Sequence, residues 1–361
     1  MCSHDYDVLI IGSGFGGSVS ALRLTEKGYR VGVLEAGGRF APEDFPKTNW
    51  DVRRFFWFPR LGMRGIQRMS LLKDVLVLSG AGVGGGSLVY ANTLYEPHDA
   101  FYEDPQWGDV TDWKSELAPF YRLAERMLGA VENPTHTPAD EVTLQIAKRW
   151  EVEHTFRPTP VGVYFGERGV EAPDPYFGGA GPTRSGCLEC GGCMIGCRHN
   201  AKNSLDRNYL YLAEQAGATV HPEHEVVDVK PLHQGGYSLT TERPGSWFGR
   251  SRSTFTARQV IFSAGALGTT KLLLKLVEMG RLPDLSMKVG DVVRTNSEAL
   301  LGATAKSTAI DYSAGVAITS SFHPEPHTHI EPVRYSKGSN VMGLLATVLT
   351  DGGGSIPRQL R

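Results

Sequence analysis

DYDVLIIGSGFGGSVSALRLTEKGYRVGVLEAGGRF, residues Asp5–Phe40, decides the fold. Val8–Ile11 is a short apolar run that reads as a buried strand. Gly12, Gly14 and Gly17 follow it directly as G-x-G-x-x-G. Val19, Leu22 and Leu24 then keep helical spacing, and Gly28 stands where that helix should stop. Tyr29–Leu34 reads as a second strand ending at Glu35, 18 residues after Gly17. The order strand, glycine turn, helix, strand, acid describes a βαβ dinucleotide unit. The first glycine makes the turn, the second admits a pyrophosphate, and the third lets helix and strand pack closely. The free N–H groups of the helix start face the phosphates. An acid at the end of the second strand suits ribose hydroxyls and disfavours a 2′-phosphate, so NAD or FAD fits better than NADP.

Composition narrows the function. The chain has 361 residues, enough for two domains or one composite domain. Its net charge is −2, so it lacks the basic surplus that sequence-independent nucleic-acid binding needs. No run offers the roughly 20 uncharged apolar residues of a membrane span. The N-terminus lacks the basic start and apolar run of a secretory leader, so cytoplasmic residence is expected. There are 43 glycines, which points to tight turns and close backbone approach to something bound.

Two further segments extend the first. VLSGAGVGGGSLVYANTLYEP, Val77–Pro97, is a second glycine-rich loop between apolar flanks. RQVIFSAGALGTTKLLLKLVEMG, Arg258–Gly280, reads as a strand at Val260–Phe262, a small-residue turn at Ser263–Gly265, and a helix from Leu267 to Met279.

With GVGGGSLV (Gly82–Val89), SAGALGTTKLLL (Ser263–Leu274), HIEPVRY (His329–Tyr335) and the stretch Gly186–Val229, these segments make the chain resemble the glucose–methanol–choline (GMC) family of FAD-dependent alcohol oxidoreductases, and within it the sterol-oxidising branch. The likeness runs from Tyr6 to about Thr350. It implies an α/β fold, in which a discontinuous FAD/NAD(P)-binding Rossmann-like domain at 1–98 and 200–300 carries an α+β substrate domain at 99–199 and 301–361. It implies FAD as cofactor, a sterol or similar secondary alcohol as substrate, and O2 or another electron acceptor. By matching position, Gly12, Ser13, Gly14, Phe15, Gly16 and Gly17 would hold the pyrophosphate. Glu35 would hold the adenosine ribose, Gly85 and Gly86 would lie along the cofactor, the Val226 backbone would meet the adenine, and Ala264 and Gly265 would close the site. The chain departs from the sterol-oxidising pattern at Tyr90 and Ala91, where Asn-Gly is usual. Family members also continue beyond the length of this chain, into a segment with a substrate-facing histidine and asparagine. The likeness therefore implies that the substrate domain is incomplete at its C-terminus.

Three clusters carry other chemistry. Cys187, Cys190, Cys193 and Cys197 keep the C-x2-C-x2-C-x3-C spacing of a [4Fe–4S] loop. However, Arg198 replaces the usual proline, and no distant cysteine group supplies a further ligand, so packed thiols or a local disulfide are the preferred reading. An iron–sulfur dehydrogenase that passes electrons to a partner is the alternative function. PEPHTHIEPVRY, Pro324–Tyr335, offers Glu331 on an expected strand, alternating with Ile330 and Val333. A carboxylate there suits the base of alcohol oxidation; the plainer reading is a surface ion pair with Arg334. His323, His327 and His329 have metal-like spacing but read as solvated side chains. Asn49–Met69 mixes aromatics with arginines. It reads as a packed excursion with arginines at its rim, ahead of a lid in peripheral contact with a membrane surface.

Overall fold

The computed structural model describes residues 4–345 other than 74, 247–250, 295, 297 and 304. Strand β1 is Tyr6–Ile11, helix α1 is Phe15–Glu26 and strand β2 is Val31–Leu34. Beyond a long excursion come α2 (Tyr209–Gln215), β3 (Thr219–His221), β4 (Glu225–Pro231), β5 (Tyr237–Glu242), β6 (Arg252–Phe262) and α3 (Gly265–Glu278). The strands form one sheet in the order β3-β2-β1-β6-β5-β4. β3, β2, β1 and β6 run parallel, while β5 and β4 continue the sheet as an antiparallel meander. The sheet thus joins two stretches of chain about 200 residues apart.

β1 is apolar on both sides because both of its faces are covered. Val8 and Ile10 point to a core with Ala21 and Leu22 of α1 and with Leu210 and Ala213 of α2. Leu9 and Ile11 point the other way, to Val229, Leu239 and the α3 residues Leu272 and Leu276. Each such side chain contributes about 1.5–3 kcal/mol by leaving water. This two-sided burial fixes where the ends of β1 and β6 lie. The third strand expected at Val260–Phe262 begins at Arg252, and its helix starts at Gly265, two residues before Leu267.

A second group of elements packs together outside the sheet. Helix Pro138–Arg149 packs beside the strand Ser320–Glu325, which pairs with Arg157–Pro158. Asp140 holds these parts together, accepting hydrogen bonds from the hydroxyls of Thr137, Thr319 and Ser320. Burial pushes its carboxyl upward, but the three hydroxyl donors hold it below the usual carboxylate range. The excursion 49–69 is packed through Phe55, Trp57 and Ile66, with Arg68 over the Trp57 ring. Among the described residues no helix is long and apolar enough to cross a membrane. At the far end, Val341–Leu345 forms a 3-10 turn with Val341 buried; the rest of the apolar stretch to Leu349 lies outside the described residues.

Candidate functional site

The three glycine-rich turns meet at the C-terminal ends of β1 and β6. Gly12 has φ +99, and a Cβ on it would come within 2.4 Å of the Ser263 carbonyl oxygen. A Cβ on Gly17 would lie 2.0 Å from the Gly12 carbonyl oxygen, so this glycine sets how closely α1 approaches β1. Gly14 differs: a Cβ there would meet nothing within 4 Å. The second loop comes in over the first, because a Cβ on Gly85 would lie 2.7 Å from the Gly14 Cα. Gly86 and Gly265 also face open space. Two of the motif's glycines are therefore filled by the protein's own backbone, while Gly14, Gly86 and Gly265 leave an open cradle beside the α1 N-terminus. Such a cradle fits a pyrophosphate, which needs close backbone N–H groups and no Cβ in the way. Phe15 is exposed at its rim, edge-on to Tyr90 with ring centroids 5.9 Å apart.

Ser13 and Glu35 are hydrogen-bonded to each other. Ser13 is fully buried, and both its backbone N–H and its hydroxyl donate to Glu35 Oε2, at 3.1 and 2.7 Å. Oε1 accepts from the N–H groups of Gly37 and Gly82, at 2.8 and 3.3 Å. The carboxylate thus staples the first glycine turn, the end of β2 and the second glycine loop. Four donors occupy the four lone-pair positions of a carboxylate, so a ribose hydroxyl would have to replace one of them. Val226 lies at the start of β4, directly after the turn whose His224 N–H donates to the Glu35 carbonyl. Ala264 precedes α3, and its N–H donates to Thr269 Oγ1.

The stretch that leaves the second loop is anchored by Lys202, which carried no sequence signal. Its buried ammonium donates to the carbonyl oxygens of Leu88, Tyr90 and Cys193, at 3.0, 3.0 and 2.8 Å, and lies 4.6 Å from the Tyr90 ring centroid. Burial pulls its pKa down to about 8. The cysteines lie beside it. All four are free thiols; Cys187, Cys193 and Cys197 pack against Val161, Val163, Ala201 and Val316. Burial pushes Cys187 up to about 12 and Cys193 up to about 11. Among the described residues no group of three or more His, Cys, Asp and Glu side chains is arranged to hold a metal ion. The spacing of a [4Fe–4S] loop is present; three of its thiols are packed and Cys190 is exposed.

Glu331 lies one residue beyond the strand Thr328–Ile330 instead of within it. The strand is short because it pairs with Ser320–Glu325 across an irregular register, and the chain then leaves to bridge Val333 with Ile318. The surface pair with Arg334 does not form. Arg334 is buried, and its guanidinium donates to the carbonyls of Ala314 and Val316 and to Thr319 Oγ1. Glu331 Oε1 instead accepts from the Tyr95 hydroxyl at 2.5 Å and stands 3.4 Å from His329 Nε2. Burial raises its pKa, partly offset by the Tyr95 hydrogen bond and the His329 charge. His323 and His329 have ring centroids 5.7 Å apart, and His323 Nε2 is 3.0 Å from an Arg157 nitrogen. These histidines belong to a polar cluster around one carboxylate.

Residues 182–276 match the GMC oxidoreductase family model, and residues 10–55 match an NAD(P)-binding Rossmann-like domain model. The chain is 58% identical over 357 residues to a cholesterol oxidase of Mycobacterium tuberculosis, covering 97% of this chain and 62% of that protein. It is 48% identical over 359 residues to a cholesterol oxidase of Acinetobacter baumannii, covering 97% and 65%. It therefore spans less than two thirds of the length of these relatives. An FAD-dependent oxidoreductase from Chaetomium thermophilum superimposes with a TM-score of 0.50 at 16% identity, covering 76% of this chain and 49% of that one, a likeness of fold alone.

Proposed function

The chain belongs to the GMC oxidoreductase family, and on that premise we propose that it carries the FAD-binding and base-bearing parts of an enzyme oxidising a sterol or similar secondary alcohol. The observation that carries this reading is the convergence of three glycine turns, with Gly14, Gly86 and Gly265 open around the α1 N-terminus. Gly14, Phe15, Gly16, Gly85, Gly86, Ala264 and Gly265 would hold FAD, and the Val226 backbone would meet its adenine. Bound FAD supplies the hydride acceptor. Glu331 takes the proton of the alcohol hydroxyl; its partial burial, which disfavours the charged form, makes it a stronger base than a solvated glutamate. The substrate is sterol-like because cholesterol is what the two aligned oxidases act on, and O2 or another acceptor then reoxidises the flavin. A sheet drawn from residues 6–34 and 219–262 supports an FAD domain at 1–98 and 200–300. The pairing of Arg157–Pro158 with Ser320–Glu325 supports a substrate domain at 99–199 and 301–361.

The test is anaerobic bleaching by cholesterol of the FAD-loaded protein, with the chain extended by the remainder of the relatives' length. The parent should bind FAD and bleach, and Glu331→Gln should keep FAD but bleach at least about tenfold more slowly. Glu331→Gln bleaching at the parental rate would remove the glutamate from the mechanism. A protein that takes up no FAD would overturn the cradle.

A further inference from the structure

Glu331 is held by a residue from a distant part of the chain. Tyr95 follows the second glycine loop, five positions after Tyr90, whose ring touches Phe15 at the cradle rim. Five residues span at most about 18 Å, so Tyr95 stays within the reach of a cofactor seated in that cradle. Its hydroxyl donates to Glu331 Oε1, and its ring packs edge-on against His329, with centroids 5.3 Å apart. His329 Nε2 approaches the same oxygen. Among the described residues no partner is bonded to Oε2. The carboxylate is therefore clamped on one oxygen and open on the other.

We propose that Tyr95 is the positioning residue of the base: its hydroxyl pins Oε1 of Glu331 and favours the proton-accepting carboxylate, leaving Oε2 for the alcohol. The proposal rests on the reading of Glu331 as the base. In the step it serves, the alcohol O–H bond breaks and its proton bonds to Glu331 Oε2. The C–H bond of the carbon bearing that hydroxyl would break as well, its electron pair passing as hydride to FAD as the oxidant and leaving a ketone. A hydrogen bond to the charged form of an acid favours that form, so Tyr95 opposes the effect of burial. The groups that set this balance are Tyr95, His329 and Glu298 around Glu331, with Arg157, His98 and His323 behind them. The alternative is that the hydroxyl only fills space.

Tyr95→Phe removes one oxygen and keeps the ring, so it separates the two. The base must be deprotonated to act, so the bleaching rate rises with pH through the titration of Glu331. Without the Tyr95 donor that acid limb should move to higher pH, making bleaching on the limb about tenfold slower. A second readout needs neither FAD nor substrate. The infrared band of the protonated carboxyl that Glu331→Gln removes should titrate at higher pH in Tyr95→Phe than in the parent. FAD content should match the parent. If limb and band stay in place in Tyr95→Phe while Glu331→Gln abolishes bleaching, Tyr95 only packs and the base reading survives alone. If Glu331→Gln bleaches at the parental rate, the base reading falls and this inference falls with it.

Discussion

The cradle and the Glu331 cluster are built on opposite principles. At the cradle the working parts are backbone, and the sequence contributes by leaving side chains out. Gly12 and Gly17 have no room for even a methyl group, and Gly14 keeps its space open for something else. At Glu331 the working parts are side chains brought from residues 95, 329 and 331, with a hydrogen-bonded pair 236 positions apart in sequence. The first region is therefore a matter of fold, where a change of one carbon is expected to act on stability and cofactor together. The second is a matter of tuning, where a change of one oxygen is expected to act on rate and pH dependence. Substitutions that blurred this division would show that the two regions are not separate devices.

The largest effect should follow Gly17→Val. Its Cβ would overlap the Gly12 carbonyl, so α1 must move away from β1 and open the core of Val8, Ile10, Ala21 and Leu22. Overpacking of this kind costs about 1–3 kcal/mol, and a shifted helix adds lost burial, so poor folding and no FAD retention are expected. Circular dichroism melts and flavin absorbance check both. A folded, FAD-retaining Gly17→Val protein would mean that the helix approach is not what the cradle depends on.

Glu35→Ala comes next. The change leaves buried donors on Ser13, Gly37 and Gly82 without an acceptor, at about 1–3 kcal/mol for such a loss. Because the staple joins three loops, the expected outcome is a lower thermal midpoint even without FAD, together with weaker FAD binding. A loss of FAD affinity with an unchanged midpoint in the ligand-free protein would return Glu35 to a purely ribose-binding role. Urea unfolding with and without FAD separates these outcomes.

What could be read in the sequence follows the same division. Turns that require glycine are constrained locally, so Gly12, Gly14 and Gly17 gave the strand, the turn and the helix in one reading. The second loop could be read for the same reason, from five glycines between apolar flanks. Local pattern did not reveal that Glu35 is enclosed, because two of its donors, Gly37 and Gly82, are backbone N–H groups with no side-chain signature. Nor did it reveal Tyr95 or Lys202: a lone tyrosine and a lone lysine have no spacing to give them away, and both matter only through tertiary contacts. Sequence proximity offered Arg334 as the neighbour of Glu331, where folding supplies Tyr95 and His329. The cysteine spacing left packing and ligation both open in the sequence, and tertiary structure sets three of the thiols against Val161, Val163 and Val316.

The cysteine loop also gives the smallest expected effect, and it sharpens the comparison because Lys202 ties it to the segment that leaves the second glycine loop. Cys193 is tied to it by its carbonyl, which shares the Lys202 ammonium with Leu88 and Tyr90. Its thiol packs in the same core as Cys187 and Cys197. Cys190 is exposed. A surface substitution away from caps, cores and networks usually changes stability by no more than about 0.5 kcal/mol. Cys190→Ser should therefore leave the thermal midpoint and FAD affinity at the parental values. Cys193→Ser exchanges a packed sulfur for a smaller, more strongly hydrated hydroxyl and should cost about 1–3 kcal/mol. Under a thiol-specific alkylating reagent Cys190 should react first in the folded protein, and Cys187 and Cys193 only after unfolding, because their burial both blocks access and keeps the thiols neutral. Mass-mapped labelling measures that order. If substitution of each of the four cysteines cost the same stability and all four resisted the reagent together, they would be acting as one unit, and the separation drawn between three packed thiols and one exposed thiol would fail.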